Sequence, residues 1–334
     1  MVSSRRWATA LLSAAGMCWM IGASAPAFAD KPVTVAFALS DLSNDWKETC
    51  QRDMQEHVKA AGWKLISTSA DNDPAKQLSD IQNLLAQSPS VIVVSPIESV
   101  ALAPAVQMAN DAGVPMIVID RKLSVAPGTG EYKVAIVQSH AASGKLLAEK
   151  TVELLKAKYG KPKGNVVRLA GIPGASTVAD ARAGWDSVMK NYPDIKVIAS
   201  PNAQFTKEGG IKAMQDLLQR YPKGSIDVVW SDYSDETMGA IQVIKAAGRT
   251  ELLGNIVGEG GQIQAIEAVT RGEIARETQT PPYFGQDVVD NVKKLLAGQK
   301  VQPEQGLQIQ VFDADKKDQA LAYLKSIQAK GLKF

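Results

Sequence analysis

The side chains best able to do chemistry in this chain fall in short polar stretches, each placed directly after a run of apolar residues. Residues 40–46 read Ser-Asp-Leu-Ser-Asn-Asp-Trp, Asp120 and Arg121 close a later run, and residues 171–176 begin with glycine and end with Ser176. Further along come Ser231, Asp232 and Tyr233, then Glu259, then Gln279 just ahead of Pro281, Pro282 and Tyr283. Such a set suits a polyhydroxylated ligand: aromatic rings cover C–H faces, while a forked guanidinium, carboxylates and amides exchange hydrogen bonds with hydroxyls. Taken singly, each residue has a plainer role, since Asp and Asn cap helices and Trp fills cores. Their joint placement points to a site.

The elements that must position these residues alternate along the chain. Apolar runs at residues 33–39, 64–69, 91–95 and 114–120 read as strands. Helical stretches lie between them, over 45–61, from Asp73 and Pro74, and up to Ala112 and Gly113. A proline in a first helical turn costs no hydrogen bond. Apolar runs without alternation are what a parallel sheet covered on both faces requires, and helical crossovers supply the covers. A Lys- and Gly-rich linker near 159–164 precedes a second series, with strands expected at 165–170, 195–200, 226–230 and 252–258. The fold class is α/β, with two similar doubly wound, Rossmann-like lobes. In open sheets of this kind the carboxyl ends of the strands face the binding crevice, where the polar stretches stand. Residues 313–331 form a Lys-rich amphipathic helix whose charges read as a solvated face.

Signatures of catalysis are scarce. The two histidines, His57 and His140, have no Cys, His or carboxylate at metal-ligand spacing. No Gly-x-Ser-x-Gly elbow, phosphate loop or glycine-rich dinucleotide turn follows the first strand. The run Gly258, Glu259, Gly260, Gly261 lacks a third spaced glycine and comes late in the chain. No metal or other cofactor is implied.

Arg5 and Arg6 precede an apolar run from Trp7 to Ala23, and small residues close it at Ala27 and Ala29. That pattern is a secretory signal peptide over residues 1–29 and places the remainder outside the cytoplasm, in the periplasm. Met17 stands before Cys18 where a lipoprotein signal wants Gly or Ala, so a soluble exported protein is expected. The chain has 37 Lys and Arg against 35 Asp and Glu, and the first 29 residues hold two arginines and no acid, so the rest is electrically balanced. Balance gives no reason to expect nucleic acid or an anionic membrane as partner. Cys50, the one remaining thiol, reads as a small buried hydrophobe.

The ordered motifs resemble the periplasmic sugar-binding proteins of the ribose-binding type, the type I periplasmic binding proteins that feed ABC importers. The resemblance runs from about residue 33 to 311. It is carried by residues 42–46, by 71–77 (Asp-Asn-Asp-Pro-Ala-Lys-Gln), by 117–121, by 171–176, by 235–240 and by 279–281. It implies two lobes joined by three segments and closing on one sugar, here 31–138 with 281–309 and 139–280 with 310–334. Hinges are expected near 138–139, 279–280 and 307–311. Carried over residue by residue, Asn44, Trp46, Asp120, Arg121 and Gln279 would touch the ligand. Asp232 and Tyr233 join them by position.

Four positions depart from the family pattern. Lys47 falls where a second aromatic is common, and Tyr233 where an Asn is. Gly260 aligns with a ligand-binding Asp, leaving Glu259 to take that role, and Ala179 aligns with an Arg for which Arg182 is the nearby substitute. These departures open the ligand class to a sugar, a polyol or a sugar acid. A monomer is expected, with an ABC permease of the inner membrane as partner and a chemoreceptor or sensor kinase as an additional one. Trp46→Ala is expected to weaken binding while leaving thermal unfolding little changed. Two rival functions remain at this stage: an exported carbohydrate-active enzyme, whose paired carboxylates would come from Asp232 with Glu259 or Asp120, and a binding protein for a non-carbohydrate signal molecule. The effector core of a transcriptional regulator shares the fold, but export and the lack of an N-terminal helix-turn-helix argue against it.

Overall fold

The computed structural model describes residues 32–329; the expected signal peptide lies outside them. Strands β1 (Thr34–Leu39), β2 (Lys64–Ser69), β3 (Val91–Val94), β4 (Met116–Asp120) and β5 (Tyr132–Gln138) alternate with helices α1 (Asp45–Ala60), α2 (Pro74–Leu85) and α3 (Pro104–Ala112). Helix α4 (His140–Tyr159) leads into β6 (Gly164–Leu169), α5 (Ser176–Met189), β7 (Ile195–Ala199), α6 (Lys207–Arg220), β8 (Val228–Ser231), α7 (Ser234–Ala246), β9 (Ile256–Gly260), α8 (Ile263–Thr270) and β10 (Arg276–Gln279). The chain closes with α9 (Gly285–Leu296), β11 (Glu304–Leu307), β12 (Gln310–Asp313) and α10 (Lys317–Ala329).

Two six-stranded sheets result, ordered β11-β5-β4-β3-β1-β2 and β12-β10-β9-β8-β6-β7. The first is parallel throughout, and the second is parallel except where β12 pairs antiparallel with β10. Setting aside the edge strands β11 and β12, both sheets run in the same order, with the first strand of each lobe inserted between its second and third. Both lobes therefore reverse strand order beside β1 and β6, and the crevice at such a switch point is where ligands of doubly wound sheets bind.

The central strands are as apolar as double coverage demands. Val35, Phe37, Ile92, Val93, Ile117 and Val118 are wholly buried, as are Val167, Val229 and Ile256 in the second lobe. Asp73 caps α2 by accepting from Ala75 and Lys76 N–H, with Pro74 in the first turn. Cys50 is free and buried.

Two expectations need correction. Residues 159–164 are the α4–β6 turn inside the second lobe, so the second series begins with α4 and not after that stretch, because α4 packs with Trp185 and Trp230 of that lobe in one apolar cluster. The strand expected at 252–258 starts only at Ile256, since Leu252 ends a 3-10 turn and Gly254 takes the left-handed φ of +76°. The chain passes between the sheets after β5, after β10 and between β11 and β12.

Candidate functional site

The cleft lies where the strand ends of the two lobes face each other. Its walls are Asn44, Trp46, Lys47, Asp120, Arg121, His140, Thr177, Ala181, Phe205, Asp232, Tyr233, Glu259 and Thr280, enclosing about 510 Å³ counted to the open mouth.

From the first lobe, the loop after β1 delivers the start of α1. Asn44 caps that helix through Oδ1, accepting from Lys47 N–H at 3.1 Å, which seats Trp46 and Lys47 in its first turn. Trp46 donates Nε1–H to the Thr280 carbonyl at 2.7 Å and packs edge-on against Phe284. The Lys47 ammonium pairs with the Asp41 carboxylate, which also accepts the N–H and hydroxyl of Ser43. Burial, and then the neighbouring Arg121 charge, push the Lys47 amine down to about 8 against the pull of Asp41. Burial acts to raise Asp41, but Lys47 and Ser43 outweigh it and hold that carboxyl below its usual range.

At the end of β4, Asp120 adopts φ +66°, a conformation that costs a non-glycine residue free energy and persists only where surroundings fix it. The turn it makes aims Arg121 into the cleft. Arg121 donates Nη1–H to the carbonyls of Ile97 at 3.0 Å and Pro96 at 3.3 Å, and its Nε lies 3.5 Å from an Asp120 oxygen. Across the cleft its guanidinium carbon sits 5.2 Å from the centre of the Phe205 ring.

The second lobe answers with three groups. Asp232 accepts a fork from Arg168, Nε–H at 2.9 Å and Nη2–H at 2.7 Å, together with Gly171 N–H at 3.1 Å. Burial pushes its carboxyl up, and those donors oppose the push. Tyr233 stands edge-on to Phe205 at 6.0 Å, with Gln262 reaching its hydroxyl. Glu259 accepts from His140 Nδ1 at 2.7 Å and from Gln138 Nε2 at 3.4 Å. Two further bonds tie the lobes directly: Ser99 N–H to the Gly174 carbonyl at 3.0 Å and Lys122 N–H to Ser176 Oγ at 2.8 Å.

With His140 protonated, the charges along the wall cancel. Lys47, Arg121 and His140 face Asp120, Asp232 and Glu259, while Asp41 and Arg168 stand behind them as counter-ions. Three buried polar atoms of wall residues make no hydrogen bond within the protein: Arg121 Nε, which keeps only its 3.5 Å ion pair with Asp120, His140 Nε2 and Thr177 Oγ1. Buried polar groups left this way call for a ligand or water to satisfy them.

Of the residues expected at the site, Asn44, Trp46, Asp120, Arg121, Asp232, Tyr233 and Glu259 line the cleft, whereas Gln279 and Arg182 do not. Successive side chains of a strand face opposite ways, so Thr280 meets the cleft while Gln279 reaches the Gly261 carbonyl and the Tyr323 hydroxyl. In α5 the cleft face is set by Thr177 and Ala181, one turn apart; Arg182 is rotated away and grips Asp186 with Nε at 2.7 and 2.8 Å from its two oxygens. Phe205 was within reach of the strand-end rule, because it follows β7. Lys47 and His140 were not, since neither a lysine in a family aromatic position nor a histidine opening a helix carries a signal without its tertiary partners.

Trp46 also corrects an expectation. It is 6% exposed and belongs to the apolar cluster centred on the first lobe, so Trp46→Ala removes packing as well as a ring that lines the cleft. Large-to-small changes of this kind cost about 3–5 kcal/mol. Thermal denaturation of the empty protein should show the loss, and an unchanged midpoint would mean that the indole is not packed as described.

Comparison with known proteins agrees with this architecture. The family described as periplasmic binding protein domain matches residues 35–300. The ribose import binding protein RbsB of Escherichia coli K12 is 29% identical over 270 residues, covering 80% of this chain and 86% of that protein. The galactofuranose-binding protein YtfQ of the same organism is 27% identical over 268 residues, 79% of this chain and 82% of that one. A Mycobacterium smegmatis structure in complex with β-D-fucofuranose superposes with a TM-score of 0.81 at 26% identity, covering 90% of this chain and 97% of that one.

Proposed function

This chain belongs to the periplasmic binding protein domain family, and from that premise we propose that its cleft captures a neutral carbohydrate of pentose or hexose size and that the closed protein delivers it to an ABC permease. The family consists of substrate-binding proteins and not enzymes. The observation that carries the choice of a neutral ligand is the cancellation of charge along the wall. A sugar acid would bring a carboxylate into a site whose cations all have counter-ions, leaving one charge uncompensated in a buried place. A neutral sugar or polyol lets each charged group act as a strong hydrogen-bond donor or acceptor without upsetting that balance. Trp46, Phe205 and Tyr233 supply apolar faces for its C–H groups. Two of the relatives described above are named for ribose and galactofuranose, and the compared structure is in complex with β-D-fucofuranose, all neutral.

Residues 1–29 would direct export and be removed, leaving a monomer in the periplasm. Closure on ligand changes the surface that spans both lobes, which is what a permease reads, and a chemoreceptor or sensor kinase would read the same surface. Asn44, Asp120, Arg121, Asp232 and Glu259 are the hydroxyl partners in this reading.

The test is a thermal-shift screen of the exported protein, its mass first checked for a start at Asp30, against D-ribose, L-arabinose, D-galactose, D-fructose, xylitol and D-galacturonate. A selective ligand raises the midpoint in proportion to RT ln(1 + [L]/Kd). A shift with one or two neutral compounds and none with galacturonate is expected. A shift with galacturonate alone would overturn the neutral reading, and silence across the panel would overturn the carbohydrate reading.

A further inference from the structure

His140 and Glu259 form a buried pair whose geometry has a use beyond packing. His140 opens α4 two residues after β5, where the chain leaves the first sheet, and its side chain lines the cleft. Its Nδ1 is spent on Glu259 at 2.7 Å, both side chains being more than nine-tenths buried. Its Nε2 is buried with no partner. We propose that His140 is a ligand-binding residue of the cleft whose Nε2–H donates to a bound carbohydrate oxygen, so that capture is linked to protonation of this imidazole. The proposal rests on the carbohydrate reading of the cleft.

The surroundings favour the imidazolium. Burial opposes it, but Glu259 from β9, Asp120 from β4 and Asp180 from α5 together lift the His140 pKa above its usual 6.5. Gln138 from β5 bonds the same Glu259 oxygen, and Lys47, Arg121, Asp232 and Tyr233 complete the charged and titratable groups on the cleft wall. A neutral imidazole protonated at Nδ1 would present only a lone pair at Nε2, whereas the imidazolium presents a donor. An acceptor oxygen at Nε2 therefore raises the pKa of the bound form above that of the free form. Affinity is greatest below the free-form value and falls as pH rises through it, by at most about tenfold per pH unit.

The experiment is isothermal calorimetry with D-ribose, D-galactose and D-fructose between pH 5.5 and 8.5, repeated in buffers of different ionisation enthalpy. For the sugar that binds, the expected result is a Kd that begins to weaken above pH 6.5, with net proton uptake of up to one. His140→Gln, which keeps an amide donor but cannot titrate, should lose both; any weakening near pH 8 that survives in it belongs to Lys47. Because the wild-type protein alone reports proton uptake, a variant that fails to fold leaves the test intact. A flat Kd with no proton uptake for a sugar that binds would overturn the proposal, as would the same pH slope in His140→Gln. If no sugar binds at any pH, the carbohydrate reading itself fails and the proposal falls with it.

Discussion

Arg168→Met should lower the folding stability of the protein by about 3–5 kcal/mol, the cost of breaking a buried ion pair from one side, and bring the thermal midpoint down by roughly 10 °C at about 2–4 °C per kcal/mol. The reason lies in how the second lobe is assembled. Arg168 is on β6 directly beside Trp230 of β8, and its guanidinium lies 4.0 Å from the centre of that indole, which in turn stacks on Trp185 at 4.1 Å. The other face of the arrangement is polar: two bonds to Asp232 and one from Nη2–H to the Val178 carbonyl at 2.9 Å. Methionine fills the volume over the indole but leaves the Asp232 carboxylate, 6% exposed, with only Gly171 N–H to hold it. Removing the stranded charge as well, in Arg168→Met with Asp232→Asn, should recover more than half of the loss, since an amide keeps the bond to Gly171. Chemical denaturation of the unaltered protein and the two variants measures this directly. A loss below 1 kcal/mol in the single variant would show that the pair is not what holds the loop.

That loop matters for function because residues 171–176 reach across the cleft. Gly174 offers its carbonyl to Ser99 and Ser176 its hydroxyl to Lys122. Ala175 is buried in an apolar cluster drawn mostly from the first lobe. Gly174 has φ +83°, so its backbone conformation favours glycine, while a Cβ there would need the Glu98 side chain, 3.0 Å away, to move aside. The Arg168–Asp232 pair thus acts on closure from behind: Asp232 fixes Gly171, and the following residues lay the loop against the first lobe. Part of the contact between the lobes is made by protein groups alone, and a bound ligand would add those that reach both walls.

Much of this was legible in the sequence because parallel strands buried on both faces must be apolar. The runs that became β1, β3 and β4 announce themselves, and the strand-end rule then locates Asp120, Arg121, Asp232 and Glu259. β5 carries the same signal, with Val134 to Val137 buried, and a reading that stops at a fourth strand passes over it. By contrast β10, β11 and β12 read Arg-Glu-Thr-Gln, Glu-Gln-Gly-Leu and Gln-Val-Phe-Asp. They are short and polar, and only pairing with a sheet already built makes them strands. The site divides along the same line. Residues placed by a strand end are readable from one dimension, whereas His140, Lys47 and Thr177 belong to it through helix phase and through partners more than a hundred residues away in the case of Glu259. Arg182 shows the converse: correct in type and near in sequence, it fails by the rotation of a helix.

Loss of Arg121 should do most damage to binding itself. Its guanidinium is 5% exposed, held by two backbone carbonyls of the β3–α3 connection, with Asp120 beside it and Phe205 over it from the opposite lobe. The side chain is therefore fixed before ligand arrives, and Nε, 3.5 Å from the Asp120 carboxylate but without a hydrogen bond, is a donor already desolvated. A charge-assisted hydrogen bond of this kind is worth about 1.5–3 kcal/mol, and Arg121→Ala also removes the contact with Phe205 that helps the lobes meet. Together these predict a loss of affinity of roughly 100-fold or more, at about tenfold per 1.4 kcal/mol. Arg121→Lys should recover little of it, because an ammonium cannot bond the Ile97 carbonyl, approach Asp120 and serve a hydroxyl through one planar fork. Calorimetric titration of both variants with the sugar selected by the thermal screen decides the matter, with the unfolding midpoint as a check that the cleft is intact. If Arg121→Ala binds as tightly as the unaltered protein while remaining folded, the guanidinium is a strut of the first lobe and the ligand is held by the other wall.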